Sequence, residues 1–228
     1  MHKHTKLIFD ADNTLFDFDR AEETALVKSL EHFKLPKPEG LIDFYRKMNV
    51  GLWQQLDNKT ITIAQLKQQR AAQLFEFIGQ SADPTVFSLH YLDELAKCQF
   101  LLDHVEHTLN LLSEHCEMAI ITNGLERVQN PRFAASTIKQ HFGALVISEA
   151  LGVAKPDAAI FEHTCDLMQW SDPAAVLMVG DNYRCDIQGA ADFGMRTCWY
   201  NIRQQAHDYS DHDYEIQRFD ELLTVLKA

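Results

Sequence analysis

The 228-residue chain is short of positive charge: 21 Lys and Arg stand against 33 Asp and Glu, a formal net charge of −12 at pH 7. Such a field repels phosphate polyanions, which disfavours nucleic acid polymers as partners and requires local cations for any small anionic ligand. Glycine and proline are scarce, at 9 and 6, which excludes collagen-like and low-complexity chains. No apolar run approaches the roughly 20 residues that span a bilayer, and residues 1–6 carry no signal-peptide-like apolar stretch. The expectation is a cytoplasmic protein with no membrane partner. The five cysteines, Cys98, Cys116, Cys165, Cys185 and Cys198, are odd in number and never spaced as CxxC, which predicts reduced thiols, mostly in the core. The patterns GxSxG, GxxxxGK(S/T) and GxGxxG are all missing, leaving serine-hydrolase, P-loop and dinucleotide readings without support.

What is there is an ordinary globular composition, 46% hydrophobic and 24% charged, long enough to bury a core. Five short apolar or β-branched runs, Lys6–Phe9, Met118–Thr122, Leu145–Ser148, Val176–Gly180 and Thr197–Tyr200, predict buried parallel strands. Helix-length segments lie between the later runs, one opened by Pro156, and Gly194 suits a helix C-terminal cap, so the class is α/β. Roughly a hundred residues separate the first two runs, where a βαβ crossover needs only about a dozen. Apolar residues at helical spacing fill that gap over Arg20–Phe33, Leu41–Leu56, Ile63–Ile78 and Pro84–Ala96, with breaks at Leu35–Pro38 and Ser81–Pro84. The spacing predicts a helical domain over 17–99 inserted into a core formed by 1–16 and 100–228.

Chemistry gathers at the strand ends. Asp10 and Asp12 follow the first run at i, i+2, so strand periodicity aims both to one side, beyond the carboxyl edge where open α/β sheets bind ligands. Thr122, Asn123 and Gly124 close the second run with a hydroxyl, an amide and exposed backbone able to grip an oxyanion. Asp181 closes the fourth, Asp186 follows five residues later, and Lys155 precedes Pro156 beyond the third, extended and able to face the same crevice. Converging carboxylates repel one another unless a cation sits among them, and Mg²⁺, which favours carboxylate and water oxygens, suits such a site beside a phosphate.

Together these segments resemble the haloacid dehalogenase-like hydrolase superfamily, whose four motifs match DxDxT at Asp10–Thr14, Thr122, Lys155 and GDxxxxD at Gly180–Asp186. The stretches LVISEALGVAKPDAAIFE and VLMVGDNYRCDIQGAADFGMRTCWYN, with Leu52-Trp53 and Asn123-Gly124, resemble more particularly its YjjG-type pyrimidine 5′-nucleotidase branch. The resemblance implies a three-layer Rossmann-like parallel sheet, with the helical insertion as cap. It also implies a Mg²⁺-dependent phosphatase for a small phosphate monoester, working as a monomer or dimer. Asp10 would be the nucleophile and Asp12 the acid and base. Mg²⁺ would lie on Asp10, the Asp12 carbonyl, Asp181 and Asp186, with Thr122, Asn123, Gly124 and Lys155 on the phosphoryl group. One departure is Pro131, which predicts a break or late helix start after Thr122.

Asp12 favours a phosphatase over a dehalogenase, because a halide leaves without a proton. Phosphoglycolate or sugar phosphatase and phosphomutase activities remain open on the core motifs, as does a binding protein that keeps the site without turnover. Trp53 and Asn49 are candidates to meet a base or sugar, with packing inside the insertion as the alternative. His104 and His107 read as a solvated helix face, Cys185 as a packed thiol, and His207–Tyr214 as a surface loop.

Overall fold

In the computed structural model, which describes residues 4–227, each apolar run becomes a strand of one parallel sheet. β1 (Lys6–Phe9), β2 (Glu117–Thr122), β3 (Ala144–Ile147), β4 (Val176–Gly180) and β5 (Arg196–Tyr200) are joined by β6 (Tyr214–Ile216), in the order β3-β2-β1-β4-β5-β6. The loop expected over His207–Tyr214 runs as far as Asp213, and β6, which the sequence reading does not include, begins at its last residue. The three-residue strand forms where Ile216 is buried and pairs with Tyr200 in parallel register.

Period-two alternation divides the central strands between two cores, one on each face. Leu7, Phe9, Met118, Ile120, Leu177 and Val179 enter one, packed with α5 (Val105–Leu112) and α10 (Leu222–Val225). Ile8, Ala119, Ile121, Val176 and Met178 enter the other, with α8 (Ala158–Leu167) and α9 (Gly189–Phe193). Strands buried on both faces read as continuous apolar runs for this reason. The sheet also carries α6 (Glu126–Ala135) after β2 and α7 (Ser148–Leu151) after β3. α6 runs through Pro131 without a break, correcting the expectation. Proline disfavours a helix interior because it lacks the N–H and its ring crowds the preceding turn. Here Val128 and Gln129 before it and Arg132 after it are all buried, and these anchors hold the turn.

The chain divides into two compact units, Met1–Phe18 with Gln99–Ala228, and Asp19–Cys98. At the neck of the first unit Asp17 N–H donates to the Phe100 carbonyl and Phe16 bridges Leu101 in antiparallel fashion. The second unit holds α1 (Phe18–His32, entered at its first residue), α2 (Leu41–Asp57), α3 (Ile63–Ile78) and α4 (Pro84–Ala96). Its boundaries follow local chemistry. A Thr62–Gln65 capping box opens α3, left-handed Gly79 at φ 63° closes it, and Asp83 caps α4 with Pro84 in its first turn.

Inside the helical unit lies a polar knot. Asn49 Nδ2 donates to Glu22 Oε1 at 2.6 Å, Arg70 Nη1 donates to Asn49 Oδ1 at 3.4 Å, and the Arg70 guanidinium sits 4.7 Å from the Tyr91 ring centre. Burial outweighs these partners and pushes the Glu22 carboxyl up to about 7. The folded protein therefore holds a proton that the unfolded chain releases near pH 4.5, so this group's contribution to stability falls as pH rises from about 4.5 to about 7. Glu22→Gln should flatten that part of the profile in urea titrations at pH 5 and pH 7.5. An unchanged slope would take Glu22 out of the account.

Candidate active site

The order of the sheet reverses at β1, whose neighbours β2 and β4 lead away in opposite directions, and such a switch point opens a crevice at the carboxyl edge. Asp10 leaves β1 there, its N–H donating to the Val179 carbonyl of β4. Its carboxylate is met by Lys155: Nζ lies 2.6 Å from Asp10 Oδ1, 2.6 Å from Asp186 Oδ1 and 2.9 Å from the Ile121 carbonyl. Lys155 and Asp186 are 3% and 0% exposed. Asp181 completes the group, since one carboxylate oxygen from each of Asp10, Asp181 and Asp186 lies within 4.8 Å of the others.

The local sequence explains how these charges stay in place. Gly180 has no side chain because Asp186 occupies its position: a Cβ there would meet Asp186 Oδ2 at 2.2 Å. The Asp186 carboxylate accepts the Asn182 N–H at 3.0 Å, and the Asn182 side chain in turn accepts the Cys185 N–H. Asp181 is fixed through its backbone, with its N–H donating to Thr14 Oγ1 and its carbonyl accepting from Trp199 Nε1. Cys185 is buried and packed.

Electrostatics identify what the site lacks. Three carboxylates face one ammonium, so with all three ionised two negative charges would go uncompensated in a largely buried space. Burial pushes Asp10 up to about 7, helped by Asp186 against the pull of Lys155, and burial with repulsion from Asp10 and Asp186 raises Asp181 well above its ordinary value. Burial works against the Lys155 ammonium, but Asp10 and Asp186 outweigh it and its pKa goes up, so it stays charged. An all-oxygen donor set short of two positive charges fits a hard divalent cation such as Mg²⁺.

The remaining sequence candidates divide by their partners. Thr122 is buried, and its Oγ1 accepts the Gly124 N–H at 3.0 Å. Asn123 is committed elsewhere: Nδ2 donates to the Lys155 carbonyl and Oδ1 accepts the Lys155 N–H, both at 2.9 Å, so it fixes the loop that carries the ammonium. Asp12 and Asp10 take separate partners, for Asp12 is held by Arg132 Nη2 at 2.5 Å and Gln129 Nε2 at 2.7 Å. In the helical unit Asn49 is 2% exposed and spent on Glu22 and Arg70, whereas Trp53 is half-buried. His104 and His107 are exposed. Sequence reasoning missed Thr14, Trp199, Gln129 and Arg132. Thr14 carried a signal as the last residue of the DxDxT match, while the other three act through tertiary contacts that no local pattern announces.

A family model described as haloacid dehalogenase-like hydrolase matches residues 7–194. Among curated proteins, pyrimidine 5′-nucleotidase PynA of Streptococcus pneumoniae is 33% identical over 96% of this chain and 94% of its own length. Pyrimidine 5′-nucleotidase YjjG of Escherichia coli is 32% identical over 87% of each. Among solved structures, the magnesium-bound putative HAD-hydrolase YfnB of Bacillus subtilis superposes with a TM-score of 0.92 at 26% identity, covering 99% of both chains. No helix among the described residues is long and apolar enough to cross a membrane.

Because a methyl group at position 180 would collide with Asp186, Gly180→Ala should loosen the acidic cluster. We expect Mn²⁺, used as a paramagnetic probe, to bind about 10-fold or more weakly to the variant, as for other supporting-contact losses. An unchanged affinity, read from the free-Mn²⁺ resonance, would remove Asp186 from the cation site.

Proposed function

The chain belongs to the haloacid dehalogenase-like hydrolases, and we propose that within this family it is a Mg²⁺-dependent phosphatase that hydrolyses pyrimidine nucleoside monophosphates through an aspartyl-phosphate. The observation that carries this reading is the buried Asp10 carboxylate, ion-paired to Lys155 and grouped with Asp181 and Asp186. The nucleotide preference draws on the likeness to the two pyrimidine 5′-nucleotidases.

A carboxylate nucleophile beside a compensating cation needs no separate base, unlike a serine hydroxyl. As an Asp10 oxygen bonds to phosphorus, the ester P–O bond breaks and Asp12 gives its proton to the departing oxygen. Asp12 then takes a proton from the water that attacks the acyl phosphate, releasing inorganic phosphate and restoring Asp10. Lys155 offsets charge on the transferring group. Thr122 aids it, because its oxygen accepts from Gly124 and its own hydroxyl proton is left to donate. Asn123 positions Lys155 through the backbone. Asp10, Asp181, Asp186 and the Asp12 carbonyl would hold the Mg²⁺, which when bound neutralises charge as the phosphoryl group transfers.

Uncatalysed monoester hydrolysis is slow enough that enzymes accelerate it by up to about 10²¹, whereas acid–base help alone gives roughly 10²–10⁴. The remainder must come from covalent catalysis, positioning and charge stabilisation acting together. We assign substrate choice to the helical insertion, which takes the chain position of the family's cap, with Trp53 as its aromatic candidate. Asn49, already spent within the polar knot, is a poorer one.

Phosphate release from a panel of nucleoside monophosphates, sugar phosphates and phosphoglycolate tests the reading. Pyrimidine monophosphates should lead in kcat/KM by about 10-fold or more, a difference of about 1.4 kcal/mol at the transition state. EDTA should abolish turnover, and Asp10→Asn should fold without activity. Preference for a sugar phosphate would replace the nucleotide assignment, and retained activity in Asp10→Asn would replace the nucleophile. Trp53→Ala should lower nucleotide turnover more than that of p-nitrophenyl phosphate; equal losses would leave Trp53 a packing residue.

A further inference from the structure

Arg132 is a charge in an unusual position. It is 0% exposed, its Nε and Nη1 have no hydrogen-bond partner among the described residues, and its guanidinium carbon lies 4.5 Å from the centre of the Phe16 ring. Its charged partner is Asp12, met through Nη2. The same Nη2 donates to Gln129 Oε1 at 2.8 Å, and Gln129 Nε2 donates to Asp12 Oδ2 at 2.7 Å. Each oxygen of the Asp12 carboxylate thus receives one donor, and the two donors are locked to each other. Gly124 makes room for this arrangement, since a Cβ there would stand 2.1 Å from Gln129 Nε2.

As a device for stability this is poorly built. Burying a guanidinium with two unpartnered nitrogens is costly, and a hydrophobic replacement for a buried ion pair is often neutral or better. Removing Arg132 would leave no stranded charge either, because the Asp12 side chain is 26% exposed and water can reach it. What the arrangement does secure is direction. A short, rotatable carboxylate at a turn is held in one orientation by one nitrogen of a planar guanidinium and by an amide, both carried on a single helix turn at i+3 and i of α6.

We propose that Arg132 and Gln129 are positioning residues for Asp12, aiming its carboxyl at the ester oxygen that leaves and so acting on the protonation of that oxygen. The proposal rests on the phosphatase reading and on Asp12 as its acid. In the described geometry Arg132 and Gln129 act through Asp12, and the signature is dependence on the leaving group. An alkyl phosphate expels a strongly basic oxygen that must be protonated as the P–O bond breaks, whereas p-nitrophenolate departs without a proton. Both esters deliver the same phosphoryl group to Asp10.

The test compares kcat/KM, which reports the steps up to departure of the leaving group, for a nucleoside monophosphate and for p-nitrophenyl phosphate in wild type, Arg132→Met, Arg132→Lys and Gln129→Leu. Arg132→Met should lose about 10-fold or more on the nucleotide, a part of the 10²–10⁴ that acid catalysis supplies. Loss on p-nitrophenyl phosphate should stay within about 3-fold, well short of that contribution. Arg132→Lys should recover part of the nucleotide loss by restoring one charged donor. Gln129→Leu, which removes no charge, should show the same selective loss and serves if Arg132→Met does not fold, as judged by circular dichroism. Equal losses on both esters overturn the proposal and leave the phosphatase reading standing. Failure of the wild type on both esters overturns that reading and the proposal with it.

Discussion

Everything at the carboxyl edge of the sheet depends on the Lys155 ammonium being held between Asp10 and Asp186. Without it, acids from β1 and from the segment after β4 would be driven apart or neutralised by protonation. With it, they converge, yet one ammonium among three carboxylates cannot balance the site. The protein thus fixes the geometry of its acids with its own cation. Asn123 matters for the same reason: its two hydrogen bonds to the Lys155 backbone keep the ammonium from following solvent outward.

Much of this was legible in the sequence, for a physical reason. Parallel strands buried on both faces announce themselves as apolar runs, and in such sheets the first polar residues beyond each run stand at the ligand-binding edge. Asp10, Thr122 and Asp181 each follow or close a run, so the pattern that reveals the strand also marks the site. Family resemblance then supplied roles that spacing alone leaves open. Less visible were features whose meaning comes from contacts across the fold. β6 is three residues long and pairs only because β5 is already in place. Arg132 and Gln129 look like ordinary solvated helix residues until Gly124 admits the amide and Phe16 receives the guanidinium. Pro131 argued for a break that its buried neighbours override.

Two polar networks divide the molecule's uncommon burials between its two units. In the sheet unit, buried ions of opposite sign face one another at the carboxyl edge of the strands. In the helical unit, Glu22, Asn49 and Arg70 form a closed knot at the middle of α2, so Asn49 serves the packing of that unit. Two residues that look equally suited to a ligand in sequence, Asn49 and Trp53, are thereby separated by what else their side chains already hold.

The position of the insertion also sets the order in which the molecule can be completed during synthesis. Lys6 in β1 pairs with Glu117 on one side and Val176 on the other, so β1 leaves the ribosome more than a hundred residues ahead of either neighbour. The four-helix segment is continuous from Asp19 to Cys98 and can form from nearby contacts as it emerges. The nascent chain must therefore keep an apolar, unpaired strand soluble while a finished helical body hangs beside it. The acidic cluster comes into being only after Asp181 and Asp186 have been translated.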